Sequence, residues 1–312
     1  MDMNRKNNVE QIQVAAQQQW EYQAEVKEYM SAVNPPMPKI AVVDYPSSLH
    51  QGGDTRIIPF DLSATLETEY PATSPNLMAN YLHISDGDTL KTDVAATSQM
   101  FYVIRGSGRT QMKNGTIEWK QGDLFTLPAV PDALHSASSD TAIYWVHDAP
   151  LLKYLGVEPS VQRFEPVLYT KERLTKELDD IRKIAAGRNR TGFLLAHPNF
   201  PQTMTLTHTL WALYNVLPAG VVQKAHRHNS IALDFCVSSG PDTYTMIGKE
   251  IDENGDIINP IKAMWTPGSA FITPPGWWHS HHNDSGEDAV VLPIQDAGLI
   301  MNMQVLDFQL IS

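Results

Sequence analysis

Lys224-Ala225-His226-Arg227-His228 opens the stretch whose reading decides the fold, and Gly268-Ser269-Ala270-Phe271-Ile272-Thr273-Pro274-Pro275-Gly276-Trp277-Trp278-His279 runs towards its close at Asn283. Between the two lie short β-type segments separated by turn residues. His226 and His228 are two apart, and side chains alternate faces along a strand, so both rings point the same way. His279 follows a Pro-Pro-Gly turn that ends one strand and starts another. If the sheet is wound as a jelly roll, that turn returns a third imidazole to the same pocket. Three converging imidazoles make a metal site with open positions, so His226, His228 and His279 are the expected ligands of one ion.

Outward from this stretch, the chain of 312 residues with 42% hydrophobic content is long enough for two cores. The formal charge of −12, from 35 acidic against 23 basic residues, argues against nucleic acid or an anionic membrane surface as partner. Small molecules are the natural ligands. Cys236 is the only cysteine and cannot form an internal disulfide, which suggests a reducing compartment. The polar N-terminus has no apolar core for a signal peptide or membrane span, and the expected location is the cytoplasm.

In chain order, residues from about Asn8 to Val33 carry Val9, Ile12, Ala16, Trp20, Tyr22, Val26 and Met30 at helical spacing. The expectation is a helical arm ending at Asn34-Pro35-Pro36, either clasping another subunit or capping its own barrel. Pro59 to Pro75 reads as irregular structure with a strand or two. From Leu77 to Pro150, short alternating runs separated by Asp-Gly, Gly-Ser-Gly and Asn-Gly turns predict an antiparallel barrel. Tyr169 to Gly187 reads as a helix, with Leu174, Leu178, Ile181 and Ile184 on one face and Gly187 as its C-cap. Arg188 and Arg190, just before a strand, are candidates for an anion clamp. The expected organisation is a helical arm with an irregular segment (1–76), a first barrel (77–150), a linker with a helix (151–202) and a metal-bearing barrel with tail (203–312).

The His-x-His and final His segments resemble the two sequence motifs of the cupin superfamily, which implies a mainly β fold of two jelly-roll barrels. Met100 to Gly108 resembles the strand and turn of a cupin first motif, and Gln121 to Pro128 the start of a second. In that first barrel the ligand positions hold Thr92, Val94 and Gln99. Only His135 could stand for the last ligand, and it lies two residues later than the usual spacing, so a metal-free barrel is expected. Around the second barrel the resemblance narrows to the gentisate 1,2-dioxygenase family, with its salicylate and hydroxynaphthoate relatives. It rests on Trp211, His226-Arg227-His228, Ala232-Leu233, Phe235 and Trp278-His279-Ser280-His281, over about residues 188–297. Three departures stand out. Asn215 occupies a Gln position, Asp234 replaces an Arg that helps hold the substrate carboxylate, and the metal-bearing barrel comes second rather than first.

Most cupins add a Glu ligand, and here that position reads as Leu233, so three neutral rings would leave the ion its full dipositive charge. An octahedral ion would keep three positions for a chelating substrate and dioxygen. Fe(II) suits that chemistry, with Mn, Zn and Ni not excluded. The resemblance implies a ring-cleaving dioxygenase acting on a hydroxylated or aminated aromatic compound. Other readings stay open: another three-His oxygenase cleaving an enolisable compound or diketone, a non-redox metal cupin, and a metal-free binding or storage protein. His281 and Asp234 are the catalytic candidates; Arg190, Trp211, Asn215, Asp234 and Trp278 are the substrate-binding ones. An acid at Asp234 would repel a substrate carboxylate, so either Arg190 holds that group or the substrate presents a hydroxyl or amine there. Alternatively Asp234 points away and pairs with an Arg or Lys. A homodimer or homotetramer is the expected assembly.

Overall fold

Strand Gln99–Arg105 is buried on both faces over most of its length, and this double burial underlies the whole architecture. Phe101 and Val103 point one way, into a barrel interior with Leu82, Phe125 and Trp145. Met100 and Tyr102 point the other way, into a second core shared with Tyr214, Leu233, Phe235 and Leu292 from the distal half of the chain. A sheet covered on both sides needs apolar residues at successive positions, which explains the unbroken Met100-Phe101-Tyr102-Val103-Ile104 run.

The computed structural model describes residues 3–33, 35–184 and 190–311, in two units, residues 1–38 and 39–312. In the first unit the helix spans Met3–Gln23, ending well before the expected Val33, and a short 3-10 turn follows at Tyr29–Ala32. Glu28 starts that turn, its carboxylate accepting from the Met30 amide. Trp20, Tyr22 and Val26 are exposed within the arm, so no buried apolar stripe extends the helix. Asn34, the expected end of the arm, lies outside the described residues.

The second unit is mainly β. A six-stranded sheet runs in the order Val167–Tyr169, Leu124–Leu127, Gln99–Arg105, Thr141–His147, Met78–Ile84, Arg56–Pro59, and it faces a four-stranded sheet of Thr89–Thr92, Ala133–Ala137, Ser107–Met112 and Gly115–Lys120. The distal half repeats the plan. Its six-stranded sheet orders Asp44–Tyr45, Ala270–Thr273, Ala232–Ser238, Ala289–Gln295, Trp211–Leu217, Thr191–Leu195; its five-stranded partner orders Ile261–Met264, Thr243–Gly248, Trp278–Asn283, Val222–His228, Phe308–Leu310. The two six-stranded sheets share the large apolar core, in which Tyr144 stacks on Phe235 with ring centroids 4.9 Å apart.

Hydrogen-bonded edges recruit residues from beyond the expected limits of 77–150 and 203–312. Arg56–Pro59 and Val167–Tyr169 extend the first half, while Asp44–Tyr45 and Thr191–Leu195 extend the second. Val167–Tyr169 is therefore a strand, and the linking helix begins at Lys171 and runs to Ile184, with Leu174 and Leu178 buried. Gly187 and Arg188 lie outside the described residues. Among the described residues no helix is long and apolar enough to cross a membrane.

Candidate metal centre

Val222–His228 and Trp278–Asn283 are antiparallel neighbours with His226 opposite His279. The register shifts between Gln223 and His226. Both residues line one cavity although they are three apart, an arrangement that a regular strand forbids and a bulge allows. His228 joins them by simple alternation. The possible ligand atoms of His226, His228 and His279 lie within 4.8 Å of one another, and all three rings are buried.

Hydrogen bonds at the far ring nitrogens decide how these rings present themselves. His228 Nδ1 lies 2.9 Å from the Ser230 carbonyl and His279 Nδ1 lies 3.1 Å from the Trp277 carbonyl. A carbonyl only accepts, so each Nδ1 carries the proton and each Nε2 keeps its lone pair for a metal. His226 differs. Its Nδ1 is 3.2 Å from Arg190 Nη2, which only donates, so the proton sits on Nε2 and ligation there requires Arg190 to release the ring. Burial, with the neighbouring imidazoles and Arg190 adding to it, holds His226 and His279 well below the usual histidine range, and burial lowers His228 to about 4. Neutral imidazoles are what a divalent ion needs, and the donor set fits one.

The cavity measures about 180 Å³, below the roughly 300–1,000 Å³ of sites for drug-sized ligands. Arg190, Trp211, Asn215 and Asp234 line it, and His281 completes the wall beside the three ligand candidates. Asp234 is buried, accepts a 2.8 Å hydrogen bond from Thr273 Oγ1, and is pushed up to about 7 by burial. Trp278, expected at the substrate, lies on the other face of its strand and stacks under Arg227, because alternation sends His279 and His281 inward and Trp278 outward. The same alternation places Leu233 away from the cavity. It packs in the large shared core, its neighbours Ala232 and Asp234 line the cavity, and the Asp234 carboxyl is not part of the three-imidazole cluster.

Gln295 and Phe308 are among the contributors not anticipated from sequence. Gln295 lines the cavity, with Nε2 3.5 Å from His228 Nε2. Phe308, on a strand of the C-terminal tail, stacks on His226 and His228 with centroids 5.5 and 5.6 Å away. The alternation in Asp307-Phe308-Gln309-Leu310 was the available signal, but nothing local says which strand it joins.

In the first barrel His135 is fully buried between Thr92 and Thr110, its Nε2 2.9 Å from one hydroxyl and its Nδ1 2.8 Å from the other. The pairing register sets Ala133 opposite Thr92, as His279 sits opposite His226. His135 thus matches His281, which removes the apparent two-residue misfit. Thr92 and Ala133 stand at ligand positions and neither supplies a nitrogen.

No protein-family model matches the chain. Over 184 residues, 57% of this chain and 45% of the other, the sequence is 25% identical to a 5-aminosalicylate 1,2-dioxygenase of Comamonas sp. Over 105 residues, 33% of this chain and 24% of the other, it is 30% identical to a 1-hydroxy-2-naphthoate 1,2-dioxygenase of Nocardioides sp.. The matched segments span less than half the length of either relative. The fold superposes on salicylate 1,2-dioxygenase from Pseudaminobacter salicylatoxidans with a TM-score of 0.72 at 12% identity, over 95% of this chain and 96% of that one. A variant of Bacillus subtilis oxalate decarboxylase matches with a TM-score of 0.55 at 14% identity, over 88% and 84% of the two chains. The chain has a bicupin-type fold, shared with salicylate 1,2-dioxygenase, and part of its sequence is similar to the aminosalicylate, hydroxynaphthoate and gentisate dioxygenases.

Proposed function

We propose that the protein is an Fe(II)-dependent dioxygenase that opens the ring of a small aromatic compound carrying hydroxyl or amino groups. The observation that carries this reading is the convergence of three buried, neutral imidazoles on a small cavity that also holds a guanidinium and a carboxyl group. His226, His228 and His279 would hold the ion. Bound iron supplies activation of dioxygen and a chelation point for substrate oxygens.

The remaining roles belong to the chain. Arg190, once free of His226, offers a planar fork to a substrate carboxylate. Asp234 sits in register with Pro293 on one neighbouring strand and Phe271 on the other, and neither supplies a countercharge. A carboxyl group in that position accepts a hydrogen bond from an arylamine or phenol and disfavours a second carboxylate. Trp211 and Asn215 form the adjoining wall. The relative named for 5-aminosalicylate supports an amino-substituted ring as substrate class.

The test is oxygen uptake by iron-reconstituted protein presented with 5-aminosalicylate, gentisate, salicylate and 1-hydroxy-2-naphthoate. Uptake with 5-aminosalicylate exceeding that with gentisate is expected, and Asp234→Arg should shift the preference towards gentisate. No uptake with any of the four, at full iron content, would sink the reading. A parent that prefers gentisate and an Arg variant that loses it would refute the part given to Asp234.

A further inference from the structure

We propose that Thr245 is a positioning residue that fixes His281 as the tautomer protonated on Nε2, so that the ring meets a bound substrate as a hydrogen-bond donor. The donor role rests on the proposed function; the tautomer does not.

The argument is a count of protons. The indole Nε1 of Trp265 lies 2.8 Å from Thr245 Oγ1, and an indole nitrogen can only donate. The same hydroxyl lies 2.8 Å from His281 Nδ1. Thr245 is fully buried, and among the described residues its hydroxyl meets these two groups alone. Its oxygen accepts the indole proton, so its own proton has one destination, the Nδ1 lone pair. Were Nδ1 protonated instead, in the neutral or the charged ring, the hydroxyl would face two donors and its hydrogen would be buried without an acceptor, at a cost of roughly 1–3 kcal/mol. Nδ1 therefore accepts and Nε2 carries the hydrogen.

The first barrel builds the same relay. Trp119 Nε1 is 2.8 Å from Thr110 Oγ1, and Thr110 Oγ1 is 2.8 Å from His135 Nδ1. His135 lies opposite Thr110 in the sheet register, as His281 lies opposite Thr245. There the Nε2–H ends on the chain itself, with Thr92 Oγ1 2.9 Å away. In the second barrel the counterpart of Thr92 is the ligand candidate His226, His281 lines the cavity, and its Nε2–H is offered to a phenolate, phenol or carboxylate oxygen of the substrate. Two barrels that differ at every ligand position share this relay, which points to orientation of the ring rather than to metal binding.

The experiment labels histidine with ¹⁵N in the full chain loaded with zinc, a diamagnetic ion, and reads the tautomer from long-range proton–nitrogen correlations, with His281→Gln assigning the signal. Nε2–H is expected in the parent and in Thr245→Ser, and its loss or mixing with Nδ1–H in Thr245→Val. Nδ1–H in the parent, or an unchanged tautomer in Thr245→Val, overturns the proposal. In the iron-loaded chain, Thr245→Val should lower kcat roughly tenfold with a smaller change in KM, and Thr245→Ser should restore it. Thr110→Val, which breaks the matching relay in the other barrel, should leave kcat unchanged. Equal losses in the two Val variants would assign the effect to packing and refute the positioning role. Failure of all substrates in oxygen uptake would strike the proposed function and leave the tautomer result standing.

Discussion

At His226 the Nδ1 nitrogen faces a guanidinium, whereas at His228 and His279 it faces a carbonyl. His279 is thus set for a metal before it arrives, His228 has only the long Gln295 contact of 3.5 Å to release, and His226 exchanges partners when the ion binds. Two remaining imidazoles hold a labile divalent ion poorly, so His226→Ala should lose most bound metal and nearly all activity. Elemental analysis decides it: metal content equal to the parent's would refute the assignment. Buried histidines also set the acid limit of the fold. His135 and His147 titrate near about 3 when folded, through burial, against an ordinary 6.5 when unfolded. The unfolded chain binds the extra protons in between, so their contribution is complete above pH 6.5 and is lost as pH falls towards 3, at up to ~1.4 kcal/mol per pH unit for each ring. Urea unfolding of the metal-free chain between pH 7 and 4.5 should show this decline. In His135→Gln the slope should flatten by about one proton's worth, and an unchanged slope would count against it.

At the scale of elements, the strand Phe308–Leu310 matters more than its length suggests. It pairs with the strand bearing His226 and His228 and sets an aromatic ring against both imidazoles. Side-chain and backbone bonds tie the tail down: Asn229 Nδ2 donates to the Val305 carbonyl at 2.7 Å, and Arg227 Nε donates to Gln309 Oε1 at 3.0 Å. A chain ending at Gln304 should keep its fold yet release metal to a soluble chelator several-fold faster, because one wall of the cavity is gone. Phe308→Ala should raise KM for an aromatic substrate roughly tenfold, as expected for an aromatic contact worth on the order of 1–1.5 kcal/mol. Chelator kinetics and KM values equal to the parent's would show that the tail is only an edge strand.

For the whole molecule, the largest apolar core lies between the two six-stranded sheets, not inside either barrel. Tyr81, Met100 and Tyr144 from one half meet Leu233, Phe235 and Leu292 from the other, so the first barrel supplies much of the packing behind the barrel that carries the three-imidazole cluster. Residues 39–312 should therefore unfold together. Tryptophan fluorescence and far-ultraviolet circular dichroism are expected to give one coincident transition in the metal-free chain. Phe235→Ala should cost about 3–5 kcal/mol and loosen amide protection in both halves. Two separated transitions, or protection lost in the distal half alone, would refute the shared core.

The sequence alone determined what depends on short-range periodicity: a mainly β chain, His226 and His228 on one face, and the return of His279 after its Pro-Pro-Gly turn. Those features follow from side-chain alternation and turn chemistry within a few residues. Tertiary structure decided the rest. Which face Asp234 and Leu233 take depends on the register of their sheet, and the Trp278 face follows once His279 is fixed inward. The match of His135 to His281 emerged only from pairing across strands. Phe308 reached the site from the C-terminal tail, and Asp44–Tyr45 joined the distal sheet across more than two hundred intervening residues. Strand partners are chosen by edge complementarity and by burial of both sheet faces, energies that no local window of sequence contains.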